Sequence, residues 1–293
     1  MDIETLQLKP ADGKRRMLVC FAHPDDESFG NGGTLAHYAR AGVDVHLICA
    51  TRGEVGTIDK EYLNEYGSPE ALRSAELECA ARTLGLTAVY YLGYRDSGMP
   101  GSPDNEHKRA LVATPVEELT ARMVQLIRAV QPQVMLTFDP IGGYRHPDHI
   151  AMHAGTVAAY DLAGDETYQS NGLAPYTPQK LYFSTFSRRG MRWLLKLMPL
   201  VGQNPRTFGR NGDIDLVALS KVNFPLHATI DISAELAIKR AASACHRSQQ
   251  SFGTNRIVRM IFRRRQTRET FMRARPEAPR NLREKDLFED VEV

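Results

Sequence analysis

The sequence is poor in cysteine: 293 residues hold four, and none stands at C-x-x-C spacing from another. That excludes a thiolate zinc site or a thioredoxin-like redox motif built on local spacing. Cys20 and Cys49 sit inside the apolar runs LVCFA and LICA. With Cys79 and Cys245 they are expected to be reduced residues of an intracellular protein. No apolar stretch approaches the ~18 residues of a membrane span, so no transmembrane segment is expected. Residues 1–15 carry no apolar leader core, which makes the cytoplasm the expected location. Charge excess is absent as well. Thirty-seven basic residues against 35 acidic ones leave a net charge of +2, which provides no electrostatic case for nucleic acid as a partner. There is no internal repeat and no G-x-x-x-x-G-K-[ST] phosphate loop. Gly30-Asn31-Gly32-Gly33 fails as a dinucleotide fingerprint, because Leu35 stands where the last glycine belongs and no acid follows the second apolar run at Ala50.

What is present is an alternation. Met17–Ala22, Val43–Ala50, Ala88–Leu92 and Val134–Phe138 are continuous apolar runs of strand length, and helical patterns separate them. Ser68-Pro69-Glu70 opens one helix with a cap, a proline and an early acid, and Gly85 closes it. Thr114-Pro115 and Gln131-Pro132 bracket another, and a third is expected from Ser28 to Ala41 with Gly42 as its stop. Strands without polar alternation, joined by helices, predict an α/β fold: a Rossmann-like, mostly parallel sheet with helices on both faces. Further strands are expected at Leu181–Phe186 and Ala228–Ile232, and a helix at Ala234–His246. The expected organisation is one domain over residues 15–250, with residues 251–293 an irregular C-terminal extension packed on it. Sheets of this kind bind ligands beyond the carboxyl ends of their strands.

Two clusters occupy that edge. His23-Pro24-Asp25-Asp26-Glu27 follows the first strand directly. Asp139-Pro140 and then Gly142-Gly143-Tyr144-Arg145-His146-Pro147-Asp148-His149 follow the fourth. A catalytic zinc takes three N or O ligands and leaves one position for water. His23 and Asp26, three apart across a proline turn, can converge on one point, and His149 would complete the set from across the sheet. Asp25 is then the spare carboxylate placed to take a proton from water. Each acid could instead serve only as a turn or helix cap. Two clusters on one edge favour the metal site.

AHPDDES at Ala22–Ser28 and HPDH at His146–His149 resemble the PIG-L/LmbE-like zinc de-N-acetylases. The resemblance spans roughly residues 15–250. NGGTLAHY at Asn31–Tyr38, GYRDSGMPG at Gly93–Gly101 and DPIGGYRHPDH at Asp139–His149 bring it nearest to the N-acetyl-glucosaminyl-inositol deacetylase of mycothiol biosynthesis and its amidase relatives. It implies a zinc-dependent hydrolase that removes an acetyl group from an N-acylated amino sugar, such as an N-acetylglucosamine derivative. By the same resemblance His23, Asp26 and His149 are the zinc ligands and Asp25 the general base. His146 stabilises the oxyanion or protonates the amine, Asp148 holds that histidine, and Tyr144 donates to the oxyanion. Glu54, Arg73, Asp96 and Met99 fall at positions that contact substrate. Iron(II) suits the same ligands as zinc.

The alternatives are an amidase acting on a thiol-conjugated sugar, a deacylase of secondary metabolites, and a metal- or sugar-binding module without turnover. Residues 187–226 would supply the lid that chooses among substrates. His153, one turn beyond His149, is expected to be a satisfied helix histidine. The run Arg256–Arg268, RIVRMIFRRRQTR, is expected to be a self-paired surface element or a contact in a homo-oligomer.

Overall fold

The unbroken apolar runs become strands because both of their faces are covered. In the computed structural model, which describes residues 3–185, 195–208, 212–249 and 267–292, every residue of the Asp44–Thr51 and Val134–Phe138 strands is buried. The strands are β1 (Glu4–Gln7), β2 (Arg16–Phe21), β3 (Asp44–Thr51), β4 (Ala88–Tyr94), β5 (Val134–Phe138), β6 (Lys180–Thr185), β7 (Ala228–Asp231) and β8 (Arg268–Arg275). They form one sheet in the order β1-β4-β3-β2-β5-β6-β8-β7. The central five are parallel, with Cys20 in register with both Ile48 and Thr137. β1, β8 and β7 join antiparallel at the two margins. Strand order reverses between β2 and β5, so the loops after these two strands open into the same crevice.

The framing helices are α1 (Gly32–Arg40), α2 (Pro69–Leu84), α3 (Val116–Val130), α4 (Pro147–Ala163) and α5 (Leu236–Cys245). α2 starts and stops where its sequence signals stand: Ser68 Oγ accepts the amide of Ala71, and Gly85 takes the left-handed conformation. Leu18, Ile48, Leu77 and Ile127 pack between the layers with no exposed surface. Each such side chain contributes about 1.5–3 kcal/mol on leaving water.

Four features depart from the sequence reading. The helix expected from Ser28 to Ala41 is broken into a turn at Asp26–Phe29 and α1. Glu269 sets the break by accepting the amides of Gly33 and Thr34, and Asn31 Oδ1 accepts from Ser184 Oγ. Residues 268–275, read as irregular, form β8. RETFMRAR buries Glu269, Phe271 and Ala274 against its neighbours and leaves Thr270, Met272 and Arg273 half-buried between them. β1 is a short edge strand within a segment that shows no strand pattern.

The fourth is the expectation that all the cysteines are reduced. Cys20 and Cys49 are free and buried, and burial pushes the Cys20 thiol up to about 12. Cys79 and Cys245, 166 residues apart, form a disulfide between α2 and α5. Linear spacing carries no record of which helices pack side by side. Among the described residues no helix is long and apolar enough to cross a membrane. Residues 256–266 of the arginine-rich run lie outside the described residues. So do 187–194 and 209–211 of the segment expected to form a lid.

Candidate active site

The loop after β2 is closed by its own side chains. His23 N–H donates to Asp26 Oδ2 at 2.8 Å, and Asp25 N–H donates to Glu27 Oε2 at 2.9 Å. This holds Asp25 at φ 118°, a backbone conformation that costs a non-glycine residue about 1–3 kcal/mol. The loop after β5 is tied differently. Asp139 Oδ1 accepts the amides of Ile141 and Gly143, at 3.1 and 2.9 Å. Gly142 has φ 63°, and a Cβ there would lie 2.8 Å from that of His149. His146 caps α4, its Nδ1 accepting Asp148 N–H at 3.2 Å, and Pro147 opens the helix, so the first turn presents Asp148 and His149 to the crevice.

The two loops meet. His23 Nδ1 lies 3.2 Å from His149 Nε2, His149 Nε2 lies 3.3 Å from Asp26 Oδ1, and His23 Nδ1 lies 3.6 Å from Asp26 Oδ2. Ligands at about 2.0–2.1 Å from a tetrahedral zinc stand roughly 3.3–3.4 Å apart; the separations here are of that order, with Asp26 turning Oδ1 to His149 and Oδ2 to His23. The second nitrogen of His23 is held from behind: Nε2 donates to Asp148 Oδ2 at 3.0 Å, which leaves the Nδ1 lone pair facing the crevice. Asp148 is fixed in turn by Ser97 N–H at 2.9 Å and by the Ser97 hydroxyl. His149 stacks on Phe138, the last residue of β5, with ring centroids 3.9 Å apart.

Other donors crowd the same place. His23, His146 and His149 carry ligand-type atoms all within 4.8 Å of one another, as do His23, Asp96, His146 and Asp148. Asp26 lies beside them, with Oδ2 accepting His23 N–H and Oδ1 turned to His149. Asp148 is engaged by Ser97, Asp96 Oδ1 accepts Gly98 N–H at 2.8 Å, and His146 Nδ1 caps a helix.

The electrostatics point the same way. Burial acts to push the His23 imidazole down, but the carboxylates of Asp96, Asp148 and Asp26 hold it well above its ordinary value. A cluster that draws a positive charge so strongly suits a metal ion. Asp25 is pushed up to about 6 by burial, with the Arg73 guanidinium pulling the other way. His146 is pushed down to about 2, by burial first and then by the neighbouring imidazoles of His23 and His149. Burial raises the Tyr144 phenol, whose ring stands edge-on to His149 at 5.0 Å.

The structure redistributes some expected contacts. The Asp148 carboxylate grips His23 and meets His146 only through the main chain. Arg73, expected at substrate, is 3% exposed; it donates to Asp25 Oδ2 at 3.0 Å and to the carbonyls of Gly53 and Pro24. Glu54 Oε2 accepts Asp96 N–H at 3.0 Å, which ties those two positions into one wall, and Met99 is half-buried on the loop beyond. His153 Nδ1 bonds the Phe138 carbonyl at 2.9 Å, a satisfied helix histidine. Sequence reasoning passed over Ser97 and Phe138, and gave Glu27 a place in the first cluster but no role. Ser97 lies within the GYRDSGMPG match beside Asp96, and Phe138 directly precedes the second cluster, so position was the available signal.

Comparison with known proteins agrees with this geometry. Residues 18–160 match the family described as PIG-L, GlcNAc-PI de-N-acetylase. A 1D-myo-inositol 2-acetamido-2-deoxy-alpha-D-glucopyranoside deacetylase 2 from Catenulispora acidiphila is 37% identical, over 81% of this chain and 80% of its own length. The corresponding deacetylase of Streptomyces griseus is 36% identical over 94% of this chain and 88% of its own. The fold is shared with the N,N'-diacetylchitobiose deacetylase of Pyrococcus horikoshii, at a TM-score of 0.60 and 22% identity, covering 89% of this chain and 84% of that one. With the two-loop site and relatives of this likeness along most of its length, the chain belongs to the PIG-L de-N-acetylase family.

Proposed function

We propose that the chain is a metal-dependent hydrolase that removes the acetyl group from the amine of an N-acetylglucosamine derivative, with a glucosaminyl-inositol its substrate class. The observation that carries the reading is the convergence of His23 Nδ1, Asp26 and His149 Nε2 at 3.2–3.6 Å, from two loops 126 residues apart in sequence. The substrate class rests on relatives that deacetylate 1D-myo-inositol 2-acetamido-2-deoxy-alpha-D-glucopyranoside. His23, Asp26 and His149 would hold the cation, zinc or iron(II). Bound there, it polarises the amide carbonyl and acidifies a water molecule.

The chain's own groups do the rest. Asp25, whose carboxylate Arg73 steers, accepts the proton of the attacking water. His146 and Tyr144 come from the other strand tip. They donate to the oxyanion as it forms, and the proton that Asp25 takes from the water passes to the departing amine. Asp148 keeps His23 in the tautomer that exposes Nδ1. Glu54, Asp96 and Met99 line the acceptor side and meet sugar hydroxyls. The cytoplasm is the proposed location.

Metal analysis of the purified protein, with an amine-release assay on N-acetylglucosamine derivatives and bulkier amides, tests the proposal. A bound divalent metal and amine release from the acetylated sugars are expected. Release only from bulky conjugates would transfer the chain to the amidase reading, and ligand binding that survives chelation without any release would leave a binding module.

A further inference from the structure

Bonded to the Asp25 turn is a buried pair that the proposed chemistry does not use. Glu27 and His246 are both fully buried, and His246 Nε2 donates to Glu27 Oε1 at 2.6 Å. The other oxygen of Glu27 accepts the amide of Asp25, the bond that closes the turn at φ 118°. One carboxylate therefore joins the α5 terminus to the backbone of the residue read as the base. His246 is anchored independently. Cys245, its chain neighbour, is bonded to Cys79 on α2, and two residues on Ser248 donates to the buried Glu76 of the same helix. α2 also carries Arg73, which holds the Asp25 carboxylate.

We propose that His246 is a positioning residue for Asp25, acting through Glu27, and that the Cys79–Cys245 disulfide keeps it in place. The inference rests on the reading of Asp25 as the base. Unaided, the Asp25 backbone would relax out of its left-handed conformation and its carboxylate would leave the line of attack. His23 and His149 have their own supports in Asp148 and the β5 loop, and Asp26 is held by the His23 amide rather than by Glu27, so a loose Asp25 lowers turnover without releasing metal. Geometry assigns the interacting atom as well. Glutamine places its Nε2 where the imidazole Nε2 stands, whereas asparagine falls short of Glu27.

The test compares His246→Ala, His246→Gln, His246→Asn and a Cys79→Ser/Cys245→Ser double variant, using hydrolysis of N-acetylglucosamine and metal content as readouts. In His246→Ala, kcat should fall about 10–100-fold. KM should stay within about twofold and metal should remain bound. Glutamine should restore most of the loss and asparagine little. The double variant, altered at an exposed Cys79 and a half-buried Cys245, should lose kcat several-fold with KM unchanged. Parent kcat in His246→Ala, rescue by asparagine as good as by glutamine, or loss of metal in step with activity would overturn the role of His246. Parent kcat in the double variant would overturn that of the disulfide. If the alanine variant is insoluble, the glutamine and asparagine variants decide. Asp25→Asn serves as the control: parent activity there would sink the base reading itself, whereas an inactive Asp25→Asn beside a fully active His246→Ala would sink this inference alone.

Discussion

Arg73 Nη2 and Asp25 Oδ2 stand 3.0 Å apart, with the guanidinium 4% exposed and the carboxylate 18%. Asp25 is thus held by a buried cation rather than left free in the crevice, and Asp25→Asn should separate binding from chemistry. The metal should remain and kcat should drop about 10²–10⁴-fold. Steady-state kinetics with metal analysis on the same preparation checks this.

Arg73 itself sits where only a glycine can face it. A Cβ at Gly53, whose φ is 67°, would lie 1.8 Å from Arg73 Nη1. Gly53→Ala should therefore displace the guanidinium and lower kcat by about tenfold or more, as Arg73→Gln should. Because both act on one contact, the double variant should be no worse than the poorer single one. Additive losses would mean that Gly53 acts elsewhere.

Removal of a ligand or of the metal should act on the metal first. A strong chelator should abolish amine release, and zinc or iron(II) should restore it. His149→Ala should lose stoichiometric metal while its fold, judged by far-UV circular dichroism, stays intact. Full metal occupancy in that variant would remove His149 from the set.

Acid stability should carry a mark of His46, far from the crevice at the start of β3. Burial pushes this imidazole down to about 4 from its ordinary 6.5. Below pH 6.5 the unfolded chain takes up a proton that the folded chain refuses, so this contribution to stability is present above pH 6.5 and is lost between about 6.5 and 4. The full loss is about 3 kcal/mol. Urea midpoints at pH 7 and pH 4.5 should converge in His46→Leu relative to the parent, and an unchanged difference would refute the assignment.

Glu284 is a second carboxylate whose loss should be felt, this time by the fold. It accepts from Lys180, Arg273 and Tyr182 at 2.8 Å each, and Lys180 is only 5% exposed. Glu284→Ala strands that ammonium and should cost about 3–5 kcal/mol. Thermal denaturation reads the loss, and Lys180→Met in the same chain should recover part of it.

How much of this was legible in sequence depended on whether the information was local. The parallel strands announced themselves because a strand buried on both faces must be apolar throughout, and Ser68 and Gly85 marked their helix through bonds spanning only a few residues. The two metal-type clusters were readable for the same reason: each is contiguous, and a parallel sheet sends both to one edge. β8 was hidden because an antiparallel strand can alternate, and RETFMRAR looks like surface until Phe271 and Glu269 are seen to point inward.

Sequence by itself determined the doubly covered parallel sheet, the ligand-type residues and the edge on which they lie, since these follow from hydrophobic patterning and short-range turn chemistry. Only tertiary structure decided what each polar group faces. It set Arg73 against Asp25, placed the Asp148 carboxylate on His23, joined Cys79 to Cys245, and brought His246 to Glu27 from 219 residues away. The physical reason is that a hydrogen bond or a disulfide depends on distances of a few ångströms. Distances between distant segments are set by helix and sheet packing, of which linear spacing holds no trace.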